Sequence, residues 1–148
     1  MRAKIEVKGD LMMASQQNGE RTRVMIVEQD LGFGMKLADW LATHGYQPVF
    51  IRTVEAAIDE LSSFRPQAIF FGLGYSGPAA QIDAAEALLL IQTVCPNVPV
   101  LTIADQTSED LTQVVFRQGV RRFLVKPVEF SQIGEVLQSE LSAATLIG

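Results

Sequence analysis

The sequence predicts a doubly wound α/β domain built on a parallel sheet. Two observations carry that expectation. Short apolar runs recur along the chain, each followed by a segment whose apolar residues fall at helical spacing. In addition, the segment Pro66-Gln-Ala-Ile-Phe-Phe-Gly-Leu-Gly74 holds an apolar run, Ala68 to Phe71, of the kind that is buried on both faces at the centre of a sheet. In such sheets ligand chemistry lies just beyond the carboxyl ends of the strands. At that end of this run stands Gly72, which has no side chain.

In chain order, residues 1–22 show no sustained period, and Gln16-Gln-Asn-Gly-Glu20 is polar, so a flexible N-terminal arm is expected, with Met12 and Met13 as alternative starts. Arg23 to Val27 is the first strand. Phe33, Leu37, Trp40 and Leu41 share one face of the first helix, with Gly45 after His44 as its C-terminal stop. Gln47 to Ile51 forms the second strand, and Thr53 caps a helix that turns Val54, Ile58 and Leu61 inward. Ala68 to Phe71 is the third strand, followed by a glycine-rich loop and an apolar helix around Ala84 to Thr93. Pro96 and Pro99 bracket the turn before the fourth strand, Val100 to Ile103. Thr107-Ser-Glu-Asp110 has the outline of a capping box for a helix with Leu111, Val114 and Val115 inward, ended by Gly119. Arg122 to Val125 is the fifth strand, and Phe130, Ile133, Leu137 and Leu141 line the last helix. Met25 and Met35 read as core filler. Five strands alternating with five helices require right-handed crossovers, hence a flavodoxin-like domain over residues 23–142 with a short tail at 143–148.

The totals exclude several classes of function. A net charge of −5 argues against direct nucleic-acid binding, because phosphate contacts need a basic surface. One cysteine, Cys95, permits no internal disulfide, and with a single histidine no zinc cluster can be assembled. No apolar stretch approaches the roughly 18 residues of a membrane span, and the N-terminus lacks a signal-peptide core, so a cytoplasmic, membrane-free protein is expected.

Three strand ends converge: Glu28-Gln29-Asp30, Gly72, and Ala104-Asp105, with Lys126-Pro127 after the fifth strand. These segments resemble the receiver domain of bacterial two-component response regulators over residues 23 to 142. The resemblance rests on Arg23-Val-Met-Ile-Val-Glu-Gln-Asp30, Pro66-Gln-Ala-Ile-Phe-Phe-Gly-Leu73, Pro99-Val-Leu-Thr-Ile-Ala104 and Gly119-Val-Arg-Arg-Phe-Leu-Val-Lys-Pro127. It implies strand order 2-1-3-4-5 and a cis Lys-Pro bond that aims the lysine into the site. Receivers accept a phosphoryl group on an aspartate closing the third strand, with Mg²⁺ held by acids after the first, a hydroxyl closing the fourth, and the lysine balancing charge. Carried over, Glu28 stands for the first acid, Gln29 replaces the second, Gly72 replaces the nucleophile, and Ala104 replaces the hydroxyl. Lys126 and the aromatic Phe123 match in kind. The resemblance therefore implies a receiver without receiver chemistry. No catalysis and no cofactor are expected, nor a metal, for which Glu28 and Asp30 are the candidate ligands. It also implies that a lengthened loop after Leu73 covers the pocket.

In such a pocket Lys126 is expected to pair with Glu28, since an isolated buried ammonium is costly. The family's fourth helix, fifth strand and fifth helix form its dimerisation and output surface. The cluster Arg117, Arg121, Arg122 and Phe123 on the corresponding elements here is the candidate surface for a protein partner or self-association. Two alternatives stand beside this reading. Gly72-Leu-Gly-Tyr-Ser-Gly77 matches the dinucleotide-binding fingerprint, which makes a sensor of nucleotides or anions the first of them, although Pro78 removes a donor and the match follows the third strand, not the first. The chain can also be the regulatory fragment of a longer transcription or signalling regulator. His44 reads as a helix-end partner and Cys95 as a bystander thiol.

Overall fold

The structure, a computed structural model, describes residues 6–7, 21–73, 78–105 and 109–147. A six-stranded sheet runs in the order β1-β3-β2-β4-β5-β6, all neighbours parallel. Its strands are β1 (Glu6–Val7), β2 (Thr22–Val27), β3 (Tyr46–Ile51), β4 (Ala68–Leu73), β5 (Val100–Ala104) and β6 (Arg122–Val125). The helices are α1 (Leu31–Thr43), α2 (Val54–Phe64), α3 (Pro78–Val94), α4 (Glu109–Arg117) and α5 (Phe130–Ile147). The five long strands thus keep the expected order 2-1-3-4-5. Within the expected arm, Glu6 and Val7 pair with Val49 and Phe50 on the outer edge, and β2 already begins at Thr22. The rest of the arm, the loop residues 74–77, and Thr107 and Ser108 of the expected capping box lie outside the described residues.

The two-residue alternation of each strand divides the core between the sheet faces. Met25, Val27, Ile51, Ile69 and Phe71 meet Leu61 of α2, Leu88 and Ile91 of α3, and Val115 of α4. Val24, Ile26, Phe50, Phe70 and Leu101 meet Leu37 and Leu41 of α1 and Ile133 and Leu137 of α5. A strand covered by helices on both sides has no polar face, which is why the runs are apolar throughout. Local chemistry places the helix ends. Asp30 accepts from the Phe33 N–H at 3.1 Å to start α1, and Thr53 accepts from Ala56 at 3.1 Å to start α2. Gly45 takes φ +95 just past α1, a conformation open to glycine. Pro78 opens α3, six residues ahead of the expected start at Ala84, in the first-turn position where its missing N–H costs nothing.

Two sequence expectations are corrected. Met25 is buried, but Met35 is 41% exposed, because it lies on the solvent side of α1. Gly72 and Ala104 do not follow their strands but belong to them: Gly72 pairs with Ile103, and Ala104 with Leu73 and Val125. Both strands continue past the apolar run because neighbouring backbones supply the partners, a determinant that hydrophobicity does not report.

The joint between β6 and α5 is charged. Glu140, buried on α5, accepts from Arg121 Nε at 3.1 Å and from Arg122 Nε at 2.7 Å. Burial alone would raise this carboxyl, but the two arginines outweigh it and hold it below its ordinary value. A depressed carboxyl contributes stability above its unfolded value of 4.5 and loses it as pH falls through the folded value. Glu140→Gln is therefore expected to lower stability at neutral pH by about 1–2 kcal/mol. In urea melts carried down into acid, the curves of variant and wild type should converge as the wild-type carboxyl protonates. A gap that persists in acid would assign the effect to packing.

Candidate functional site

The carboxyl ends of β2, β4, β5 and β6 meet because parallel register brings them to one edge. Backbone bonds hold each pocket residue there. The Glu28 N–H donates to Ile51 O at 3.0 Å, the Asp105 N–H to Leu73 O at 3.0 Å, and the Lys126 N–H to Ala104 O at 2.8 Å. The Lys126–Pro127 bond is cis, as the resemblance implies.

Lys126 is the centre of the site. Its Nζ stands 2.9 Å from Asp105 Oδ1, 3.6 Å from Glu28 Oε1 and 4.0 Å from Asp30 Oδ2, and 4.1 Å above the centroid of the Phe33 ring. The expected pairing with Glu28 is present, but Asp105 is the nearer partner. Burial alone would depress the ammonium; the Asp105 hydrogen bond and the surrounding carboxylates reverse this and hold it above its ordinary value. The charge on Lys126 is thus secure.

Glu28 is 5% exposed, whereas Asp30 and Asp105 face solvent. Its Oε2 accepts from the Asp30 N–H at 3.0 Å. Burial raises its carboxyl above the ordinary value, and neither that hydrogen bond nor Lys126 fully offsets the loss of water. Gly72 lies beneath it. A Cβ built at Gly72 would stand 2.4 Å from Glu28 Oε1 and 2.7 Å from its carboxyl carbon. Ala104 is fully buried in the core with its methyl. Gln29 is exposed, and its carbonyl accepts from Arg52 Nη2 at 2.8 Å.

These groups do not fit the Mg²⁺ that the resemblance associates with the pocket. One Glu28 oxygen holds a backbone amide and the other faces Lys126, Asp30 Oδ1 caps α1, and Gln29 is neutral. Among the described residues no group of three or more acids, histidines or cysteines could hold a metal ion. Of the glycine fingerprint, Gly72 lies in β4, while Gly74 to Gly77 fall outside the described residues.

The candidate interaction surface is divided. Arg117 is exposed in the last turn of α4, but Arg121 and Arg122 direct their Nε groups to Glu140 within the domain. Phe123 is half-buried against the core, and its ring meets Phe116 of α4 at 6.4 Å between centroids. Phe116 and Val125 are 45% and 37% exposed, apolar surface on α4 and β6 that the arginine pattern did not indicate. The helical phase carried the signal: with Leu111 and Val115 inward, Phe116 is turned away from the core. Glu140 left no such trace, because an acid on the last helix does not name its partners. Elsewhere, His44 stacks on Trp40 at 3.8 Å with its Nδ1 2.7 Å from the Trp40 carbonyl, and burial raises the Cys95 thiol.

No family model matches the chain. It is 30% identical over 107 residues to the response regulator protein FleR of Pseudomonas aeruginosa, a match covering 72% of this chain and 22% of that protein. It is 24% identical over 123 residues to the nitrogen assimilation regulatory protein NtrX of Azorhizobium caulinodans, covering 83% of this chain and 27% of that one. The chain therefore spans about a quarter of the length of these curated relatives. Its structure is similar to the crystal structure of a response regulator receiver domain protein (CheY-like) from Methanospirillum hungatei JF-1. That match has a TM-score of 0.78 at 16% identity and covers 87% of this chain and all 100% of the other. With the strand order, the crossovers and the strand-end lysine, these likenesses identify the chain as a domain of the response-regulator receiver, CheY-like fold.

Proposed function

We propose that this domain works in bacterial signalling as a receiver that is not phosphorylated, acting through protein–protein contact. One observation carries the reading: Gly72 occupies the strand end where acyl-phosphate chemistry requires a carboxylate nucleophile. Gln29 and Ala104 support it, since the first cannot add a negative charge for a metal and the second has no hydroxyl to follow a phosphoryl group. The contact surface comprises α4, β6 and α5, with Phe116, Phe123 and Val125 as its apolar centre and Arg117 beside it. Apolar centres with arginine nearby suit such interfaces. The partner is another protein or a second copy of the domain.

A second reading has its own support. The chain matches about a quarter of regulators that are much longer, which favours a regulatory segment of a larger transcription or signalling protein. In that setting the same surface would contact the rest of the regulator.

Glu28 gives the site a testable energetic signature. Its raised carboxyl means that ionisation opposes folding, a cost that appears above the unfolded value of 4.5 and is complete above the folded one. Residues that cost stability are expected at functional positions.

Acetyl phosphate with Mg²⁺ is expected to leave both the mass and the sedimentation of the domain unchanged; a gain of one phosphoryl group would overturn the proposal. Glu28→Gln is expected to raise stability at neutral pH by about 1 kcal/mol. That gain should vanish in urea melts below the unfolded carboxyl value, where the wild-type group is protonated too. Phe116→Asp is expected to lower stability by about 1 kcal/mol, because it removes the ring contact with Phe123 and places an anion at the end of α4. It should also weaken the association of the domain with its partner or with itself, read by sedimentation velocity or titration. Undiminished association would remove this face from the proposal.

A further inference from the structure

The pocket is filled from within. Glu28 could extend from the end of β2 toward solvent, as Asp30 and Gln29 do, yet it is 5% exposed and lies over Gly72 on the neighbouring strand. The overlap with a side chain at position 72 is direct: a Cβ there would meet Glu28 Oε1 at 2.4 Å, its carboxyl carbon at 2.7 Å and Oε2 at 3.0 Å. All three of these nearest atoms belong to one carboxylate. That group is held by the Asp30 N–H on one oxygen and faces Lys126 with the other. Asp105 and Asp30 complete the ring of charges around the ammonium, and Phe33 covers it.

We infer that Glu28 is the built-in replacement for the side chain absent at position 72: its carboxylate occupies the space in which that side chain would begin and presents to Lys126 the negative charge that the strand end lacks. Glu28 and Gly72 are then a matched pair, each permitted by the other. The pocket needs no external anion, because the protein supplies one from β2. Lys126 serves as a tie between the ends of β2, β5 and β6. Its neighbour Val125 belongs to the exposed apolar surface, so the tie also holds that surface in one arrangement.

The inference rests on the proposed receiver without phosphoryl chemistry, but its test uses no phosphodonor, so labelling by acetyl phosphate bears on that reading alone. The test is a double-mutant cycle on Gly72→Ala and Glu28→Ala, read as melting temperature. In the wild-type background Gly72→Ala is expected to lower the melting temperature by about 3–6 °C, as its Cβ evicts the carboxylate. In the Glu28→Ala background the same substitution should cost less than half of that, because the space is empty. An equal drop in both backgrounds, or none in the wild type, overturns the inference. If Gly72→Ala alone does not fold, recovery of folding in the double variant carries the same support, and failure of both variants to fold overturns it. A crystal structure of Gly72→Ala gives a second reading. Displacement of the Glu28 carboxylate away from Lys126 supports the pairing, and an unmoved carboxylate with a shifted β4 overturns it.

Discussion

An ammonium withdrawn from water at the end of a parallel sheet must be surrounded by negative charge, and this requirement organises the carboxyl-end edge of the sheet. Lys126 meets it with Asp105, Glu28 and Asp30 and with the face of Phe33. Glu28 and Asp30 follow β2, Phe33 lies in the helix after it, and Asp105 follows β5. The register of β2, β4, β5 and β6 is therefore what makes the cluster possible, and the backbone bonds at Glu28, Asp105 and Lys126 keep it in place. The carboxylates do not share the work equally. Asp105, exposed and nearest, provides the cheap part of the neutralisation, whereas buried Glu28 adds charge at an energetic cost. A residue kept under such conditions is better explained by the space it fills than by the stability it adds.

The two faces of the sheet serve different ends. On one side α1 and α5 close over Ile26, Phe50 and Phe70; on the other α2, α3 and α4 close over Met25, Val27 and Phe71. The pocket opens at the edge where both layers end, and α4 and β6 lead from it to the exposed surface. That surface has less free positive charge than a count of its arginines suggests. Glu140 engages Arg121 and Arg122 and uses them to join β6 to α5, so recognition through this face would rest on Phe116, Phe123, Val125 and Arg117.

Much of this architecture was legible before any coordinates. Apolar runs and helical spacing are local properties, so strands, helices and the caps at Thr53 and Gly45 follow from neighbours a few residues apart. The strand-end chemistry was also legible as residue identity: an acid at 28, an amide at 29, no side chain at 72, no hydroxyl at 104 and a lysine at 126. Local pattern and tertiary context disagree at a few positions. Met35 looks like a core residue until the rotation of α1 is known, and β4 and β5 run on past their apolar runs because partner strands accept them.

Residue order alone thus decided the class of fold, the order of its elements and the glycine at position 72 of the third long strand, because periodicity and side-chain identity do not depend on distance. The tertiary structure alone decided that Asp105 is the first partner of Lys126, that Glu28 lies in the space above Gly72, and that Arg121 and Arg122 turn toward Glu140. These facts depend on ångström-scale distances between residues separated by tens of positions in the chain. Charge and size announce that such groups need partners, but only the register of the sheet determines which partners they find.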